Sequence, residues 1–69
     1  MFDKSKFYAS VRNQLCYYRP LRVGPKRVTF RSYYRSNLHP LMGCDFTISA
    51  RMARVVMREL FPQPTLSNT

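Results

Sequence analysis

In the C-terminal half of the chain, apolar residues recur at Ile48, Met52, Val55, Val56 and Leu60, the spacing of one face of a helix. Ala50, Ala53, Met57 and Phe61 widen that face. The pattern predicts an amphipathic helix over residues 45–61, capped by Asp45 or Thr47 and ended by Pro62 and Pro64. Its polar side carries Arg51, Arg54 and Arg58, one turn apart. Near the N-terminus Phe7, Val11 and Leu15 step by four, with Tyr8 and Tyr18 beside them. With Asp3 as a cap, this predicts a first helix over residues 3–18. Its tail, Cys16-Tyr17-Tyr18, already drifts toward strand composition, and Pro20 disfavours helical geometry at Arg19.

Between these stretches the period changes from helical to alternating. Residues 27–35, RVTFRSYYR, place Val28, Phe30, Ser32 and Tyr34 on one side of a strand. Arg27, Thr29, Arg31, Tyr33 and Arg35 fall on the other. A lone strand leaves its backbone groups unpaired, so it needs a partner. Arg19 to Val23 offers one across Gly24-Pro25, with Pro20 restricting that partner to an edge. Residues 19–26 otherwise read as a basic loop carrying Arg22 and Lys26, and residues 36–44 as a second loop broken by Pro40 and Gly43. Residues 62–69 form a polar tail, expected to be disordered or laid on a partner. The expected fold is a small α+β domain in which two amphipathic helices flank a basic strand or hairpin, with extended arms.

Charge sharpens this reading. Twelve Lys and Arg face three Asp and Glu, a net charge of +9 on 69 residues. A single domain of this length buries about 60% of its unfolded surface and has a marginal core. Self-repulsion weakens it further and points to an anionic partner. Nine of the twelve cations are arginine, the side chain suited to bidentate phosphate contact and to stacking on flat rings. Any surface helix shows a charged stripe opposite an apolar one, but the helix over 45–61 holds Glu59 as its only internal acid. Its arginine ridge therefore lacks the i,i+4 counter-charges of a solvated face. A strand edge guarded by charge would likewise look basic; interleaving arginine with tyrosine instead suits phosphates and exposed bases.

The chemistry of catalysis is missing from the pattern. Three scattered acids and His39 supply no positioned acid–base set, and there is no phosphate-binding glycine loop. Cys16 and Cys44 are too few for a disulfide framework and are expected to be reduced thiols. With His39 and Asp45 they lack the spacing of a zinc site. No cofactor or metal is expected, and no apolar run is long enough for a transmembrane span.

The sequence thus leads to a non-enzymatic, arginine-rich structural subunit of a large ribonucleoprotein particle of ribosomal type. Arg51, Arg54 and Arg58 would lie on one RNA backbone; Arg27, Arg31 and Arg35 would hold a second, with Tyr33 stacking and Arg22 and Lys26 following the phosphates. Its partners would be RNA, ribosomal RNA above all, and neighbouring proteins. Two other classes fit the same composition. One is an accessory subunit of a mitochondrial membrane energy-conserving complex, meeting acidic protein surfaces or anionic lipid. The other is a small phage or plasmid protein that binds a host enzyme or DNA. An intracellular site is expected, and the acid-free stretch from Lys4 to Gly43, rich in Arg and Ser, resembles a mitochondrial import signal.

Overall fold

The computed structural model, which describes residues 2–65, runs β1 (Tyr8–Ser10), β2 (Cys16–Val23), β3 (Arg27–Tyr34), β4 (Phe46–Ser49), α1 (Ala50–Val56) and β5 (Met57–Glu59). The five strands form one antiparallel sheet in the order β4-β3-β2-β1-β5, and α1 packs on one of its faces. The expectation of two helices flanking a strand is therefore corrected: the described residues are mostly sheet, with one helix of seven residues.

Local polar side chains explain why residues 3–18 are not helical. Asp3 Oδ1 accepts from the Ser5 amide at 2.8 Å and from Ser5 Oγ at 2.6 Å, closing a turn rather than capping a helix. Ser10 Oγ accepts from the Arg12 amide, and Asn13 Oδ1 from the Leu15 amide. Such side chains satisfy the backbone locally and compete with helix formation. Val11 and Leu15, assigned to an apolar helix face, are exposed, Leu15 by 80%.

The long C-terminal helix also divides. Phe46 and Ile48 alternate with Thr47 and Ser49 in β4, pairing with Phe30 and Val28 of β3. The helix starts only at Ser49, whose side chain accepts from the Met52 amide at 3.0 Å; Asp45 and Thr47 do not cap it. It buries Ala50, Ala53 and Val56, whereas Met52 and Val55 face outward. From Met57 the chain is extended and β5 joins the far edge of the sheet beside β1. Of the tail, Gln63 is held by the fold, and residues 66–69 lie outside the described residues.

β2 and β3 form the hairpin across Gly24-Pro25. The Gly24 amide donates to the Arg27 carbonyl at 2.9 Å, and a Cβ on Gly24 would sit 3.2 Å from that oxygen, so the tight turn favours glycine. Pro20 does not confine β2 to an edge. Along β2 only Tyr17 and Tyr18 pair with β1, and the β2–β3 register shifts between Pro20 and Arg22. The proline thus sits where β1 has ended and a bulge begins, a place that tolerates a missing donor. β3 is likewise an interior strand, flanked by β2 and β4, so its arginines do not guard an edge.

The core lies between α1 and the sheet. Phe30 and Ala53 are fully buried, surrounded by Tyr8, Tyr18, Val28, Ala50, Val56 and Met57. Phe46 stacks on Phe30 and meets Tyr18 edge-on, with centroids 5.8 and 5.5 Å apart. Burying rings against one another in this way gains both apolar area and the favourable edge-to-face geometry.

A candidate nucleic-acid interface on the open sheet face

With α1 covering one face, alternation along each strand sends every second side chain to the other face. The register orders these side chains into rungs. Thr47, Thr29 and Arg22 lie side by side on β4, β3 and β2. One two-residue step further along, Arg31 of β3 is opposite Arg19 of β2. One more step along, Tyr33 is opposite Tyr17, which is itself opposite Ala9 of β1. Phe7, just before β1, leans across: its ring meets Tyr33 edge-on at 5.1 Å, and the Arg19 guanidinium lies 5.3 Å from its centroid. The Arg35 guanidinium sits over the Tyr17 ring at 4.7 Å. The result is an aromatic patch on β2 and β3 at the end away from the hairpin turn, bordered by guanidinium groups, two of them already stacked on rings.

Arg31 differs from the other cations of this face. Its Nε and Nη2 donate to Asp45 Oδ1 and Oδ2, each at 3.1 Å. Hydrogen bonding from Arg31 holds the Asp45 carboxyl below its ordinary range, and the same contact raises the Arg31 guanidinium. Lys6 pairs with Glu59 at 3.5 Å. Among the described residues these are the two ion pairs, so most of the cations carry no carboxylate partner.

The residues singled out from sequence fall on two sides of the molecule. Arg27, Arg31, Arg35, Tyr33 and Arg22 belong to the open face, with Lys26 in the hairpin turn at its end. Arg51 and Arg54 project from α1, across the sheet from them. Arg58 leaves the helix altogether. It lies in β5, and its Nη1 donates to the carbonyls of Arg54, Val55 and Met57 at 3.4, 2.9 and 3.2 Å. That guanidinium caps the C-terminal end of α1, where a cation is favoured. The expected three-arginine ridge is therefore two exposed arginines and one structural cap.

The sequence reading missed Tyr17, Arg19 and Phe7, which complete the patch. The signal was present: CYYRPLRV of β2 repeats, in reverse, the aromatic and arginine alternation of RVTFRSYY in β3. Assigning residues 3–18 to a helix hid it. Cys16 is half-buried and Cys44 exposed, both as free thiols. Among the described residues no His, Cys, Asp or Glu group is placed to hold a metal ion, and no helix is long and apolar enough to cross a membrane. Compared with known families, characterised proteins and solved structures, the chain shows no match.

Proposed function

We propose that the chain is a non-enzymatic RNA-binding subunit of a large ribonucleoprotein particle and that the open sheet face is its RNA-binding surface. The observation that carries this reading is the pair of adjacent rungs, Tyr17 opposite Tyr33 and Arg19 opposite Arg31, on the neighbouring interior strands β2 and β3. Aromatic rings on a sheet face give bases a flat surface to stack on, and surrounding guanidinium groups meet the backbone. Phosphate contacts of this kind position the protein without reading sequence. On the other side, Arg51 and Arg54 stand beside the exposed Met52 and Val55 of α1, a surface for neighbouring proteins or a second RNA segment. Contact groups on both sides of a thin domain suit a subunit enclosed in an assembly.

That mixed helix surface also supports the second reading, an accessory subunit of a mitochondrial membrane complex, in which arginine beside apolar residues meets acidic protein or anionic lipid. Binding of a fluorescent RNA, followed by anisotropy over a range of salt, separates the two. The RNA reading expects Tyr17→Leu with Tyr33→Leu to weaken binding at least about tenfold, from about 1–3 kcal/mol per stacked base. Arg51→Ala with Arg54→Ala should change it less. A wild-type chain that ignores RNA at low salt and binds anionic vesicles would replace the first reading by the second.

A further inference from the structure

At the hairpin end of the open face the first rung widens into a cleft. Arg22, Lys26 and Arg27 line it on the hairpin side, and Thr29 and Thr47 form its floor. The Thr29 and Thr47 hydroxyls, on neighbouring strands, are 2.7 Å apart and share one hydrogen bond, so one hydroxyl proton remains to be given to a ligand. Three cations and a spare hydroxyl donor around an open cleft of about 600 Å³ match a phosphate together with its sugar. Among the described residues no carboxylate lines the cleft.

We propose that this cleft is a phosphate site and that the ligand of the open face is single-stranded RNA, its backbone entering at Arg22, Lys26 and Arg27 and its bases reaching Tyr17 and Tyr33. The proposal rests on the sheet-face reading above and narrows it to one class of nucleic acid. From the threonine rung to the tyrosine rung is two two-residue steps, roughly 13 Å along the strands. A single strand crosses that distance within the roughly four nucleotides at the lower end of known sheet sites. Arg19 and Arg31 lie between and meet the intervening phosphate. A duplex keeps its bases stacked inside, so it can use the cleft but not the rings.

The test compares the intact chain with two variants, using an oligouridylate of about a dozen nucleotides and an RNA duplex of similar length. Arg22→Ala, Lys26→Ala and Arg27→Ala together empty the cleft of charge. All three side chains are exposed, so the fold should survive. Tyr17→Leu with Tyr33→Leu removes the rings. Expected are at least about tenfold preference for the single strand and a salt slope smaller by roughly two units in the cleft variant, at about 0.7 per lost contact. Inorganic phosphate should shift the Thr29 and Thr47 amide resonances in the wild type and not in the cleft variant. An unchanged slope in the cleft variant while the tyrosine variant loses binding overturns the cleft proposal and leaves the sheet-face reading standing. Equal binding of the duplex, which cannot reach the rings, overturns the single-strand assignment and with it the stacking role of Tyr17 and Tyr33. Failure of the wild type to bind either RNA overturns both.

Discussion

Arg31 stands among the arginines of the open face with its guanidinium already occupied. Two hydrogen bonds, one to each Asp45 carboxylate oxygen, hold it, so a phosphate must compete with that partner. Replacing Asp45 by Asn removes the negative charge and releases the guanidinium. Asp45→Asn should therefore tighten RNA binding several-fold and steepen the salt slope by about 0.7, one additional contact on a single strand. Unchanged affinity would show that Arg31 does not face the ligand. The pair also sets an acid limit. Because hydrogen bonding from Arg31 lowers the Asp45 carboxyl in the folded chain, its contribution is complete above the unfolded carboxylate range. It is lost as pH falls through the lower folded value. Between about pH 5 and pH 8 neither partner titrates, so affinity should not change there through this pair. Tyr18 sets the opposite limit. Burial raises its phenol, and a group with a raised folded pKa stabilises up to its unfolded value, losing that contribution as pH climbs through the folded one. The alkaline unfolding of the chain, followed by circular dichroism above about pH 10, should shift to higher pH in Tyr18→Phe.

At the scale of elements, two side chains hold the ends of the sheet and helix together. Gln63 acts as a substitute strand residue: its Oε1 accepts from the Phe7 amide at 2.6 Å, and its Nε2 donates to the Phe7 and Leu60 carbonyls at 3.1 and 2.6 Å. Gln63→Ala should cost about 1–3 kcal/mol in denaturant unfolding, since the Phe7 amide loses its acceptor while the Phe7 carbonyl keeps the Leu60 amide. Arg58 caps α1, and Arg58→Ala should cost about 1 kcal/mol while leaving RNA affinity nearly unchanged, whereas Arg19→Ala should do the reverse. These roles show where local sequence ceases to be informative. The strand over Arg27–Tyr34 was legible because its two-residue alternation spans eight residues, and with it came half of the open face. The three-residue strands β1 and β5 are set by pairing Tyr8–Ser10 with residues some fifty positions away, which no local period reports. The C-terminal stretch misled for a different reason. Ile48, Met52 and Val56 satisfy a four-residue step although they belong to a strand, an exposed helix position and a buried one. Ser49 was the local mark of the true helix start, and it was outweighed by the apolar period.

For the molecule as a whole, +9 is carried on a small sheet whose two ion pairs among the described residues are partly exposed. Charges of one sign on both the open face and α1 repel through a thin domain, and salt screens that repulsion within a Debye length of about 10 Å at 0.1 M. Thermal unfolding without ligand should therefore shift upward as sodium chloride is raised from about 20 mM to about 500 mM. If screening recovers about 1 kcal/mol, the midpoint rises by about 4–8 °C in a domain of this size. If RNA is the ligand, as proposed, its binding should relieve the same repulsion. An oligonucleotide at about one hundred times its Kd adds about 2.7 kcal/mol at low salt, a larger upward shift than salt alone achieves. That gain shrinks as salt weakens the complex, so the midpoints with and without RNA should converge as ionic strength increases. A midpoint that falls with salt in the free chain would mean that the cations are already balanced within the fold, and the case for an anionic partner would lose its electrostatic basis. Convergence from above, with the free chain rising and the bound chain falling, ties stability and ligand binding to the same unpaired arginines.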